Sequence, residues 1–513
     1  MEKFYNLTKE IVPVWTWIFF MSVLAGAVYA AQLVGFSLFN ETILNPVTTR
    51  SLHITLMLYG PIMLGLSLLP FALFAKDSLN LDDAAKYLKN YFFLWHLFLF
   101  MAAISILLGA QRGLAFYDFA YELNFILASS GIFYIIAIFK TIKQYKIQPT
   151  WVKVSKAILF AAPIALIILM NPVFGQVEAT ISGPHGDNTL GMSFTLIPLF
   201  YLMIKLHSKE QIKARFHIFW IIPFVGYAVS VAHRIFIGEL SYNQEWFFQW
   251  LTFFYAPLLY VWYKDAKLGI KTHPYLIVSI YAFLFVMIEG NILFIPELRW
   301  IFHRNDLIVA HAHVAIGLGI FFMSLSIINY FYELPKKLLH AWGYVIALIF
   351  IPLSISGFIQ AGFFEADITP FWFIRLFAGL LALGVILYYI YKALDIKKMN
   401  LLELYHLGGF ASDGLGAIIL ILFAPQLFEF LGFSFSPHYY LVFGFMGFVG
   451  LLHLIGVKKH SEFLAQMTSY ARIITGTIFF SLFYISSLDA LALLVGFYDI
   501  AYATIYILWI KNR

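Results

Sequence analysis

Runs of about twenty apolar residues, parted by short charged breaks, recur along the whole of this 513-residue chain. That is the length a helix needs to cross the hydrocarbon core of a bilayer. In lipid, only helices and closed barrels satisfy their own backbone groups. Sixteen candidate spans result, the first at about 12–39 and the last four at 405–432, 437–457, 468–487 and 489–510. Charged residues make up 12% of the chain, about half the ~25% usual in soluble domains. A water-soluble enzyme, a disordered chain and an ordinary nucleic-acid binder are thereby excluded, and the expected fold class is an all-α polytopic membrane protein.

The positive charges orient the spans. Of 33 Lys and Arg, 27 fall at the N-terminus, in breaks after even-numbered spans, or at the C-terminal end. The six on the opposite side are all arginines: Arg50, Arg112, Arg234, Arg299, Arg304 and Arg375. By the positive-inside rule both termini face the cytoplasm, in the inner membrane of a cell, and the first span is read as uncleaved. Arginines without lysine near one membrane face suit bidentate binding of carboxylates, such as heme propionates. The chain has no cysteine, so disulfides, thiolate metal sites, iron–sulfur clusters and covalent c-type heme are excluded.

The histidines converge under this topology. His53 opens the span at 51–75, His311 and His313 lie just inside the span at 306–331, and His233 ends the span at 216–238. Asp187 and His185 stand at the start of the span at 187–206. All lie toward the outer face, His311 and His313 about 8–10 Å below it at 1.5 Å per residue. At 100° per residue the two histidines of His311-Ala312-His313 point about 200° apart, so one helix can serve two cofactors. Ionisable groups at membrane depth are costly, which makes them candidates for binding metal or heme between helices. The competing reading for any single histidine is a hydrogen-bonded packing residue.

The stretch from Arg50 to about Lys392 resembles the catalytic subunit of the heme-copper oxidase superfamily, most closely its C family and the related nitric oxide reductases. The likeness is carried by Arg50-Ser51-Leu52-His53, by Asp306 through His311-Ala312-His313, by Glu289-Gly290 followed by His303, by Gly357 to Gln360, and by Arg375. It implies a twelve-helix core over 1–398, leaving 399–513 as a four-span extension. It implies two hemes of b type: a low-spin one between His53 and His313, and a high-spin one on His311, where a diatomic gas would bind. Glu289 would tune His311, and Arg50 and Arg375 would meet propionates.

The third metal site departs from the family pattern. Where the oxidases carry a copper histidine in span 6, this chain has Asp187, and of the histidine pair in span 7 only His233, followed by Arg234, remains. A carboxylate favours a harder ion than copper. The expected site is therefore non-heme iron on Asp187 and His233, with Glu239, His185 or water as third ligand. The resemblance then implies a respiratory nitric oxide reductase. Tyr227, six residues before His233, resembles the crosslinked tyrosine of the oxidases and leaves an oxygen reductase open. Loss of the third metal, giving a diheme electron-transfer or gas-binding relative, is the other alternative. The electron donor is expected to be a cytochrome c or a membrane quinol. In the extension, Asp413, Asp489, Asp499, His406 and His453 read as helix glue or as part of a proton or quinol route, and the segment could stand in for an accessory subunit.

Overall fold

The computed structural model describes residues 2–36, 40, 43–113, 117–170, 186–210, 212, 218–302, 305–394, 398–437, 439–485 and 491–510. It is 83% helical, without a strand among the described residues. In chain order the helices are α1 (Glu2–Leu33), α2 (Pro46–Lys76), α3 (Asp82–Leu107), α4 (Leu123–Ile142), α5 (Thr150–Leu169), α6 (Gly186–His207) and α7 (Ile218–Phe236). They continue as α8 (Tyr242–Trp250, Leu251–Phe254 and Tyr255–Ala266), α9 (Pro274–Leu293), α10 (Asp306–Phe331), α11 (Lys336–Gln360) and α12 (Thr369–Leu394). The last four are α13 (Leu401–Gly409, Phe410–Leu415 and Gly416–Phe430), α14 (Tyr439–Lys459), α15 (Glu462–Tyr484) and α16 (Leu491–Ile505 with Tyr506–Ile510).

Thirteen of these are long and apolar enough to cross a membrane. The chain is thus an all-α, multi-pass membrane protein. The three expected spans that fall short have visible causes. A 3-10 turn at Leu251–Phe254 breaks α8, whose first half carries Asn243, Gln244, Glu245 and Gln249. Arg472 and several hydroxyls make α15 more polar, and the apolar part of α16 is short, Ala492–Leu508.

The chain divides into two compact units, Met1–Leu387 and Tyr388–Arg513. In the first, α2 and α10 are central: 83% and 61% of their apolar windows are buried, against 6% for α5. The start of α2 is fixed by local chemistry. Asn45 caps it through Val47 N and Thr48 N, and Pro46 supplies the pre-set first turn. Ser51 donates to Asp118 Oδ2 at 2.5 Å, and that carboxylate also accepts from the backbone of Arg112 and Gly113. At the other end of α2, Lys76 donates to the carbonyls of Lys205, Leu206 and Ser208 at 2.7–2.9 Å, satisfying groups that α6 leaves open at its C-terminus.

Both central helices contain a π turn, Leu58–Ile62 in α2 and Ala315–Ile320 in α10. Such turns free carbonyls that water cannot reach, and other helices supply donors. Trp95 Nε1 reaches Tyr59 O at 2.6 Å, Ser324 Oγ reaches Pro61 O at 2.8 Å, and Ser279 Oγ reaches Gly319 O at 2.5 Å.

The second unit contains the C-terminal end of α12 and the helices α13–α16. Tyr405, Ala465 and Tyr506 form a buried cluster. Here α13 and α14 touch through glycine: a Cβ on Gly450 would lie 2.3 Å from the Gly414 backbone. Gly450→Ala is therefore expected to push the helices apart and destabilise the protein by about 1–3 kcal/mol, seen as a lowered midpoint of thermal unfolding in detergent. Gly444→Ala, on the same helix with open space around it, is expected to leave that midpoint unchanged.

Candidate functional site

A cavity of about 520 Å³ lies among α1, α2, α10, α11 and α12. Arg50, His53, His311, His313, Trp342 and Arg375 all line it. Residues as far apart in the chain as Arg50 and Arg375 therefore share one chamber. The cavity wall is otherwise apolar, with Val23, Ala27, Met57, Leu58, Val345 and Ile349 among its lining.

Each histidine is held by its Nδ1. His53 Nδ1 lies 2.8 Å from Ser22 O, and Ser22 Oγ donates back to His53 O at 2.8 Å. His313 Nδ1 lies 2.8 Å from Val309 O. His311 Nδ1 lies 3.1 Å from Glu289 Oε2. Backbone carbonyls only accept, so Nδ1 of His53 and of His313 carries a proton, and each ring when neutral keeps its Nε2 lone pair for a ligand bond; Glu289 as a carboxylate would orient His311 in the same way. This is the outer arrangement that metal-binding histidines adopt.

Space for the rings is made by glycine on neighbouring helices. A Cβ on Gly26 of α1 would sit 2.7 Å from His53 Nδ1, and one on Gly290 of α9 would sit 2.8 Å from His311 Cε1. The Glu289-Gly290 pair thus has two tasks at one imidazole: the acid orients the ring and the glycine admits it. His313 and His311, two residues apart, turn to different neighbours, the first toward His53 of α2 and the second toward Glu289 of α9.

The rings of His53 and His313 have centroids 6.2 Å apart and planes within 23° of parallel. Metal–imidazole bonds of about 2.0 Å, with each nitrogen about 1.1 Å from its ring centre, put two axial imidazoles of one metal about 6 Å apart, centre to centre. The spacing of the pair equals the length that two imidazoles sharing one metal would need. Trp342, in the same wall, has an indole N–H without an acceptor among the described residues. Arg375 stacks 5.3 Å over the Tyr29 ring, and with Arg50 it gives the cavity two guanidinium groups for carboxylates.

The start of α10 sets the depth of its histidines. Asp306 Oδ2 accepts from Ser356 Oγ at 2.5 Å, Gln360 Nε2 at 3.0 Å and Trp372 Nε1 at 2.7 Å, while Asp306 N donates to Gln360 Oε1 at 2.8 Å. Asn305 caps the helix at Leu307 N and also donates to Gly357 O at 3.0 Å. The motif residues Asp306, Gly357 and Gln360 thus tie α10 to α11, and Trp372 adds α12.

Of the residues expected around a third metal, some are described and others lie outside the described set. His233 Nδ1 faces Gly238 O at 3.1 Å and its Nε2 lies 3.4 Å from Gln244 Nε2, at the α7–α8 turn. Glu239 is exposed. Arg234 pairs with Glu245 at 3.4 Å. Tyr227 packs against α6, where a Cβ on Gly191 would lie 2.6 Å from its ring. Asp187 is in the first turn of α6, one turn before Gly191, but its side chain and residues His185, His303 and Arg304 lie outside the described set. Among the described residues no three His, Asp or Glu groups gather as a metal site.

Ser22, Gly26, Trp342, Ser356 and Trp372 carry functions that the sequence reading did not assign. Their only sequence signal is weak: Ser22 and Gly26 stand four apart, on one face of α1. No family model and no curated protein matches this chain. Asp306→Ala is expected to orphan three donors and destabilise the protein by about 2–4 kcal/mol. Thermal unfolding in detergent measures this, and Asp306→Asn should recover part of the loss.

Proposed function

We propose that this protein is a membrane oxidoreductase carrying two b-type hemes, and that it reduces nitric oxide. The observation that supports the reading is the His53–His313 pair, with centroids 6.2 Å apart and both Nδ1 atoms bonded to carbonyls. His53 and His313 would hold a low-spin heme and His311 a high-spin one. Bound heme supplies one-electron transfer at the first position and an open coordination site for a diatomic gas at the second.

The chain's own residues have definable tasks in this reading. Ser22 and Val309 fix the tautomers of His53 and His313, so that both present a lone pair. Glu289 holds the His311 Nδ1 proton and makes that imidazole a stronger donor. Arg50 and Arg375 neutralise carboxylates that would otherwise be buried uncompensated. The apolar wall keeps bulk water from the reduced cofactor. The family resemblance adds the twelve-helix core, the cytoplasmic termini and an electron donor that is a cytochrome c or a quinol.

The substrate is inferred from the expected third metal site. Asp187 stands where an oxidase would have a copper histidine, and a carboxylate with His233 suits non-heme iron. The balanced reaction takes two NO, two electrons and two protons to one N2O and one water. One observation favours oxygen as the substrate instead: Tyr227 packs against Gly191, one turn from Asp187, where a phenol could supply an electron and a proton.

Heme assay by pyridine hemochrome, with mass-spectrometric metal analysis, tests both assignments. Two hemes and a third iron per chain, without copper, are expected, with NO consumed to N2O. One copper per two hemes would move the assignment to oxygen reduction, and a heme-free protein would overturn the proposal. His311→Ala is expected to lose the high-spin heme and all gas turnover while retaining the low-spin spectrum.

A further inference from the structure

The C-terminal unit buries a set of ionisable side chains with no part in the proposed heme site. His406 of α13 and His453 of α14 are both fully buried, with Nδ1 atoms 3.1 Å apart. His406 Nε2 lies 3.0 Å from Ser461 O. His453 Nε2 lies 3.9 Å from Asp413 Oδ2 and has no hydrogen-bond partner among the described residues. Asp413 pairs with Arg472 of α15, whose Nη1 also reaches Asp499 Oδ1 of α16 at 2.8 Å. Thr475 donates to the second Asp499 oxygen at 2.6 Å.

Counting protons along this row exposes a deficit. Ser461 O accepts only, so His406 Nε2 must carry a proton. If His406 is neutral its Nδ1 is bare, and the 3.1 Å contact requires the proton to be on His453 Nδ1. A neutral His453 then has a bare Nε2, and it faces a carboxylate oxygen. Three contacts need three protons, and two neutral imidazoles supply two. Acceptor thus faces acceptor at the one contact that is long, 3.9 Å.

Charge gives the same result independently. Arg472 is shared by two carboxylates, the buried Asp413 and the half-buried Asp499, so the three groups together carry a net charge of −1. Among the described residues the other groups facing it bring no cation: Tyr405 lies 5.4 Å from the His453 ring, Tyr502 lies 6.1 Å from it, and Tyr498 stacks on Arg472. Glu403 is engaged by His460 at the exposed end, 2.6 Å away, and Lys458 and Lys459 are exposed. An uncompensated charge at membrane depth is costly. A single added proton removes both the net charge and the acceptor–acceptor contact.

We infer that His406, His453 and Asp413 form a one-proton binding site inside the C-terminal bundle, with the added proton completing the His453 Nε2–Asp413 contact. The added proton goes to His453 Nε2, the bare nitrogen that faces Asp413, while His453 Nδ1 keeps its bond to His406 Nδ1 and His406 Nε2 keeps its bond to Ser461 O. Arg472, shared between Asp413 and Asp499, limits the site to one proton, since a second would leave the group positive.

The test is a pH titration of the purified full-length protein in lipid nanodiscs. It is followed by nitrogen NMR of isotope-labelled histidines and by the infrared stretch of protonated carboxyl groups. The wild type is expected to take up one proton per chain that reports on His453, Asp413 or both. Asp413→Asn removes the carboxylate, and His453→Gln brings an amide donor of its own. Both variants are expected to lose that uptake, and the second keeps the Asp413–Arg472 pair should the first fail to fold. Uptake that persists in either folded variant, or a wild type whose two imidazoles and Asp413 do not change over the titration, would overturn the assignment.

Discussion

A hydrogen-bonding group stranded in hydrocarbon costs several kcal/mol, and this one constraint organises the protein. It dictates helices, and wherever a helix departs from regularity it demands a side-chain partner. The π turns of α2 and α10 meet it with Trp95, Ser324 and Ser279. The carboxylate of Asp306 meets it with three donors from two other helices. These tethers also fix the depth and rotation of α2 and α10, the two helices that carry His53, His311 and His313.

The same constraint sets the chemistry of the imidazoles. In water a histidine exchanges tautomers freely, and a lone pair for ligation is available only part of the time. Against Ser22 O and Val309 O, the rings of His53 and His313 each have one choice, and Glu289 as a carboxylate would give His311 the same. On the proposed function, rings so fixed would be organised before a metal arrives, which would lower the cost of binding it. In the C-terminal unit the constraint is left short by one proton, and the shortfall is what gives His406, His453 and Asp413 an affinity for one. Donor–acceptor matching thus orients imidazoles for the proposed hemes in one unit and leaves the proposed proton site in the other.

Much of this was legible in the sequence where the signal is local. Apolar runs marked the helices, and Asp306 of the motif stands at the start of α10, while the Asn45-Pro46 start of α2 lies five residues before the expected one at 51. His53, His311, His313, Glu289, Arg50 and Arg375 were singled out as candidates, and five of the six line one cavity, with Glu289 bonded to His311. What pairs across helices was not legible. Ser22 with His53, Trp372 with Asp306 and His406 with His453 are separated by 31, 66 and 47 residues, and no periodicity encodes such contacts. The break in α8 was hidden too, because its aromatic residues keep the segment apolar despite Gln244, Glu245 and Gln249.

Electron paramagnetic resonance of the oxidised, purified protein tests the central claim most directly, because the low-spin ferric signal reports the relative orientation of two axial imidazole planes. Planes within 23° of parallel predict a rhombic low-spin signal that disappears in His53→Ala and in His313→Ala. A strongly anisotropic signal of the perpendicular type, a signal that survives either substitution, or the absence of any low-spin heme would contradict the account.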